Sequence, residues 1–174
     1  MSRPLLGRAG WIALVAVILL VACLLWWGRS DAVDRVWYLD LNTQTLFAGP
    51  YAAAPPIEAP SGAYDGPDAE DCDHAAGVLA MVVAPKSGGE AQVVYLLRYT
   101  RAGRALRQRQ LDSEMLSPVD ERQVQGELRI AAPPSRPGEA VVWHTMASPA
   151  GRAVMDRYDR IMGTGDAVLR LPGD

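Results

Sequence analysis

Residues 77–99 read GVLAMVVAPKSGGEAQVVYLLRY. Two runs rich in β-branched, aromatic and aliphatic side chains, Gly77 to Val83 and Gln92 to Tyr99, flank the breaker sequence Pro85-Lys86-Ser87-Gly88-Gly89. Such side chains favour a pleated surface, and the Gly-Gly pair reaches backbone conformations that strain other residues, so the stretch predicts an antiparallel hairpin. The pattern repeats upstream. Val36 to Leu41 (VWYLDL), Asn42-Thr43-Gln44 and Leu46-Phe47 read as strand, turn and strand.

Between these two pairs lies the segment 50–67, PYAAAPPIEAPSGAYDGP, with five prolines. Proline lacks a ladder donor and fixes φ, so this segment is extended, irregular chain, either a linker or a long loop wrapping its own sheet. Tyr51 and Tyr64 sit within it and are the aromatic residues best placed to meet a partner.

Downstream, Thr100 can cap a helix from about Arg101 to Leu111, whose Arg101, Arg104, Arg107 and Arg109 point mostly to solvent over a thin apolar face. After a turn at Ser117-Pro118, Glu127 to Ala131 and Glu139 to Thr145 read as two arms of a second hairpin, separated by Pro133-Pro134-Ser135-Arg136-Pro137-Gly138. A further helix starts at Ser148 with Pro149 in its first position, and Gly163 can close it. Ala150, Val154, Tyr158, Ile161 and Met162 make its apolar stripe; Arg152/Asp156 and Asp156/Arg160 are i, i+4 charge pairs on the other side. Ala167 to Leu171 adds a short last strand. Strand pairs punctuated by about two helices, without βαβ alternation, predict a small α+β domain on an antiparallel sheet.

The N-terminal end has another character. Trp11 to Trp27, WIALVAVILLVACLLWW, is seventeen residues without charge, proline or glycine. That is about the minimum length for a transmembrane helix, and tryptophans at both ends suit the two interfaces. The expected organisation is a cytoplasmic tail at 1–10, a single span at 11–27, a juxtamembrane stretch at 28–35 and an extracytoplasmic domain at 36–174. Arg3 and Arg8 with the terminal amine favour the N-terminus inside; Arg29 and Arg35 on the far side are offset by Asp31 and Asp34. The expected location is a bacterial inner (cytoplasmic) membrane, with the lipid bilayer as the first expected partner. Leu20-Val21-Ala22-Cys23 also resembles a lipobox, which would make Cys23 a lipidation site, but four bulky apolar residues follow it and the span length favours a helix.

About 145 residues remain beyond the anchor, one domain's worth. Cys23 and Cys72 do not form a disulfide framework. Sixteen arginines accompany one lysine, Lys86, in a chain of net charge -3, so arginine richness does not argue for nucleic acid, and no nucleic-acid partner is expected.

Potential ligands cluster once, in Asp65, Asp68, Glu70, Asp71, Cys72, Asp73 and His74. The order of an EF-hand is not matched, and Cys72-x-His74 lacks a second pair for zinc; Asp71, Cys72, Asp73 and His74 are the candidate metal ligands of a loop that reads first as a solvated surface. His144, Ser148 and Asp156 hold the residue types of a nucleophilic triad, yet no G-x-S-x-G elbow frames the serine, whose better-supported task is helix capping. No catalytic residue and no cofactor is assigned.

The string Tyr38-Leu39-Asp40-Leu41-Asn42-Thr43, then Leu46-Phe47, then Pro55-Pro56-Ile57-Glu58-Ala59-Pro60-Ser61-Gly62, resembles a group of short single-pass bacterial envelope proteins of unknown function. Gly77 to Thr100 and Trp143 to Met155 continue it. The resemblance implies an anchor-plus-domain architecture. Members of that group carry a Cys-x-x-Cys-like pair where this chain has Pro85-Lys86-Ser87-Gly88-Gly89, so a metal or redox role does not carry over. The expectation is a non-enzymatic, membrane-anchored binding protein, an accessory component of an envelope or secretion/assembly complex with a protein partner. The alternative from another class is a membrane-tethered metal-dependent binder or hydrolase using Asp65 to His74 or His144.

Overall fold

The computed structural model describes residues 35–112, 114–136 and 138–173. The expected span at 11–27, the expected tail at 1–10 and Cys23 lie outside the described residues. Among the described residues no helix is long and apolar enough to cross a membrane.

The predicted α+β domain is present, built on one antiparallel sheet. Its strands are β1 (Arg35–Asp40), β2 (Leu46–Pro50), β3 (Gly77–Pro85), β4 (Gln92–Tyr99), β5 (Leu128–Ala131), β6 (His144–Thr145) and β7 (Ala167–Leu169). The order across the sheet is β2-β1-β3-β4-β5-β6, with β7 also paired to β3. Val83 faces Gln92 on one side and Leu169 on the other, so β7 continues the β1 side of β3 past the end of β1. The hairpin β3/β4, which the sequence predicts, lies at the centre of the order. A register shift between Met81 and Val82 places an extra residue on β4 there.

Among the described residues three α-helices accompany the sheet: α1 (Arg101–Leu111), α2 (Pro118–Gly126) and α3 (Pro149–Gly163). The sequence pattern predicts about two, with only a turn where α2 stands. Its start signals are nonetheless those of α3: Ser117 Oγ accepts from Asp120 N at 3.2 Å, Pro118 occupies the first position, and Asp120 and Glu121 lie in the first turn. What α2 lacks is an apolar stripe, Val124 being its one buried residue.

Each sheet face has its own core, because alternate strand residues point to opposite sides. On one face Leu39, Val78, Ala80, Val82, Leu96 and Ala131 are buried, with Trp37, Leu41, Val93, Val141 and Trp143 against them. On the other, Val83, Val94, Tyr95 and Ile130 meet α3 through Val154, Met155, Tyr158, Ile161 and Met162. Tyr95 and Tyr158 pack edge to face at 5.3 Å. The stripe of α3 thus includes Met155 in place of the expected Ala150, which is exposed. Neither predicted charge pair on α3 closes among the described residues; Arg160 Nε donates to the Asp156 carbonyl at 3.2 Å instead. The left-handed residue ending the helix is Gly165 (φ 72), two positions beyond Gly163.

The expected strand Glu139 to Thr145 shrinks to His144–Thr145. The described residues between Ala132 and Trp143 form no strand, and cross the first face toward the β1/β2 turn. Gln44 holds them there, its amide bonding Arg136 O and Gly138 N in the orientation that satisfies both its atoms. Inward Val141 and Trp143 alternate with Val142, 66% exposed. The alternation belongs to a strap of chain one residue thick, and periodicity alone does not separate that from a strand.

Segment 50–67 is laid along its own sheet. Ala54, Pro55 and Pro56 are buried, Ile57 bridges Gly77, Tyr99 N donates to Pro55 O at 3.0 Å, and Ala54 N donates to Gln108 Oε1 at 3.1 Å.

Candidate functional site

The register of β4 against β5 places Arg98 directly opposite Arg129. Like charges so placed repel, and each arginine here finds its own carboxylate. Arg129 turns to Glu127 Oε2 at 3.5 Å and to the carbonyls of Gly126 and Leu128. Arg98 turns inward, 3% exposed, and brings Nη2 to 2.6 Å from Asp68 Oδ2. That approach is a charge contact without hydrogen-bond alignment, since the same oxygen has no hydrogen-bond partner.

Neighbours on both sides in the chain hold Asp68 in place. A 3₁₀ turn, Ala69–Cys72, buries Ala69 and Cys72, and Tyr64 donates its hydroxyl to Asp68 Oδ1 at 3.1 Å. Burial, then the charge of Asp68, pushes the Tyr64 pKa up to about 12, so this hydroxyl stays a donor. Cys72 Sγ donates to Ala69 O at 3.3 Å and to Asp68 O at 3.5 Å. Burial raises the pKa of the Cys72 thiol, with the Arg98 charge pulling the other way, so it is a packed thiol and not an activated nucleophile.

Over the guanidinium lies Trp143, its ring centroid 4.5 Å from Arg98 Cζ. Arg98 Nε, Arg98 Nη1 and Trp143 Nε1 are buried donors that meet no acceptor among the described residues. Most buried N–H groups are paired, so three orphans in one stacked pair mark this place out. Sequence reading misses Arg98, which sits in an apolar strand run where an arginine reads as an edge residue. The signal is the arginine itself at position 98 of QVVYLLRY, two residues from Leu96 and therefore on its inward face.

The candidate metal ligands are parted by the fold. Asp73 takes Arg101 Nε at 2.5 Å and Arg104 Nη1 at 3.6 Å. His74 directs Nδ1 to Tyr64 O at 3.1 Å, Asp71 is exposed, and Cys72 faces backbone carbonyls. Among the described residues no three His, Cys, Asp or Glu side chains converge as a metal site would require. Asp73 and His74 are both left-handed (φ 52 and φ 57), which shapes the wall of a cleft of about 520 Å³ with Glu58 and Arg104. The arginines of α1 are thereby engaged: Arg101 and Arg104 with Asp73, Arg109 with Glu114, and Arg107 with Gln110 Oε1.

Ser148 Oγ donates to Thr145 O at 2.8 Å and accepts from Gly151 N at 3.0 Å, the helix cap expected of it. His144 lies on β6 opposite Ile130 and Asp156 on the exposed side of α3. Of the two tyrosines singled out in segment 50–67, Tyr51 is 63% exposed, whereas Tyr64 is half-buried and bound to Asp68.

Comparison with protein-family models, with curated proteins and with solved structures finds no match to this chain.

Proposed function

We propose that this chain is a membrane-anchored extracytoplasmic binding protein, an accessory component of an envelope or secretion/assembly complex, held in a bacterial inner membrane by residues 11–27. The observation that supports binding is the free margin of the sheet at β2. This strand is last in the order, its outer side pairs with no strand among the described residues, Leu46 (37% exposed) opens it and Tyr51 (63% exposed) follows it. An unpaired strand edge offers backbone donors and acceptors to an extended partner, and an exposed tyrosine brings large contact area at low entropic cost. Tethering adds to this, because confinement near the membrane raises effective concentration beside membrane partners and lets weak contacts suffice.

A photo-crosslinking phenylalanine in place of Tyr51, in the full-length chain in intact cells, tests the reading. One discrete crosslinked protein in the membrane fraction is the expected result. A chain that reaches the membrane yet gives no product from position 51 or position 46 would refute it. Protease added outside the membrane, digesting residues 36–174 while sparing the tail, tests the sidedness.

A further inference from the structure

We propose that the cleft between the turns 58–63 and 73–75 binds a small zwitterion, an amino acid or a short peptide, whose ammonium meets Glu58 and His74 and whose carboxylate meets Arg104. The cleft encloses about 520 Å³ and is lined by those three residues together with Asp73 and the small side chains of Ala59 and Ala63. That volume falls within the roughly 300–1,000 Å³ of small-ligand sites. The site shares no residue with the margin of β2 and does not depend on the reading built there.

Three polar groups on the walls are left without firm protein partners. Glu58 is exposed and makes no ion pair or side-chain hydrogen bond among the described residues. Arg104, its side chain 31% exposed, has one charge contact, Asp73 Oδ2 at 3.6 Å, which is too long for a hydrogen bond. Its five N–H donors therefore remain open. His74 is oriented by its other nitrogen, since Nδ1 lies 3.1 Å from Tyr64 O and 4.0 Å from Asp65 Oδ1, both of them acceptors. The ring proton belongs on Nδ1, and the neutral ring keeps its lone pair on Nε2.

Charge selects the ligand class. Asp73 is already met by Arg101 Nε at 2.5 Å, so the walls present one uncompensated carboxylate, Glu58, and one loosely held guanidinium, Arg104. A lone cation gains from Glu58 and is repelled by Arg104; a lone anion meets the reverse. A ligand that carries both charges gains from both. The walls also hold their shape through bonds that leave these groups alone. Asn42 Nδ2 donates to Ala63 O and Gly62 N to Ala59 O, each at 3.0 Å, while across the cleft Tyr64 N donates to His74 O at 2.7 Å and His74 N to Ala69 O at 2.9 Å. A preformed cleft lowers the ordering cost of binding.

The chain has two histidines, so ¹⁵N-histidine labelling of the full-length chain in detergent micelles reports on His74 with His144 as the control. The ring nitrogens are followed during titration with alanine and alanylalanine and, at matched ionic strength, with propionate and ethylamine, each of which lacks one of alanine's charges. A zwitterion should move the His74 signals on a saturable curve and leave His144 still, with propionate and ethylamine both at least about threefold weaker, the scale of one exposed ion pair. The tighter of the two zwitterions tells a free amino acid from a peptide. Glu58→Gln should weaken the zwitterion roughly two- to fivefold and leave propionate no weaker; Arg104→Gln should weaken it as much and leave ethylamine no weaker, because Asp73 keeps Arg101. His74 signals that stay still, move without saturation or move together with those of His144 overturn the proposal. Propionate or ethylamine binding as tightly as the zwitterions overturns the ligand class.

Discussion

Arg98 Nη2 and Asp68 Oδ2 stand 2.6 Å apart, joining the end of the fourth strand to the loop before the third, with the arginine 3% exposed and the aspartate side chain 22% exposed. A buried pair of this kind contributes little over a well-packed apolar replacement, yet removal of one partner strands the other charge. Asp68→Ala should therefore destabilise the full-length chain by about 3–5 kcal/mol, and Arg98→Met combined with Asp68→Leu by much less. Pulse proteolysis across a urea series measures both. Equal losses in the single and double variants would show that a stranded arginine charge is not what destabilises Asp68→Ala.

Two glycines at helix positions should respond to alanine with opposite signs. A Cβ on Gly151 would collide with Thr145 O, a backbone atom, and lie 3.2 Å from a methyl of Ile130. Gly126 has nothing within 4 Å. Gly151→Ala should cost about 1–3 kcal/mol from overpacking despite the better helix propensity of alanine. Gly126→Ala should stabilise by up to about 1 kcal/mol. Urea midpoints of the two variants, measured side by side, decide it.

Legibility in the sequence followed the physics of each element. The β3/β4 hairpin and the β1/β2 pair were readable because both alternate or run apolar between strong breakers, and α1 and α3 because Thr100 and Ser148 cap them. The second helix, PVDERQVQG, carries the same Ser-Pro start but one buried residue, so a periodicity criterion passes over it. The strap defeats sequence reading for the converse reason. Val141 and Trp143 alternate with Val142 as strand residues do, while the pairing that makes a strand depends on a neighbour that sequence does not name.

The candidate site was legible in its parts only. Asp68, Cys72 and Tyr64 stood out as an acidic loop and a proline-rich segment, but their common partner Arg98 lies 30 positions from Asp68 in a different element. Alternation with Leu96 sets Arg98 on the inward face, and the register that places it opposite Arg129 leaves the second arginine to turn to Glu127.

The Ser148 cap should be separable from any chemistry of its hydroxyl. Ser148→Ala removes the acceptor for Gly151 N at 3.0 Å and should cost about 1 kcal/mol, while Ser148→Asp should retain most of the stability because a carboxylate caps as well. Thermal melts of the two variants check it. A fully stable Ser148→Ala would remove the cap as the reason for serine at this position.

Asp40 supplies the pH dependence of the β1/β2 turn. It is 2% exposed, and its Oδ1 accepts from Ser61 Oγ at 2.7 Å, Asn42 N at 3.0 Å and Thr43 N at 3.4 Å, its Oδ2 from Ser61 N at 3.2 Å. Burial raises its pKa, and the bonds to Ser61, Asn42 and Thr43 together lower it further, leaving it below the ordinary 3.8. A carboxylate depressed on folding stabilises above its unfolded pKa, and that contribution is lost as pH falls through the folded value. Asp40→Asn, which keeps the shape but only one acceptor oxygen and no charge, should thus cost roughly 2–4 kcal/mol at neutral pH, the scale of one or two hydrogen bonds to a charged group. Urea midpoints of the two chains should stay separated down to pH 3.8 and draw together only below it. Convergence already near pH 5 would mean that the carboxylate protonates in the folded chain above its ordinary value, and that burial outweighs the four bonds.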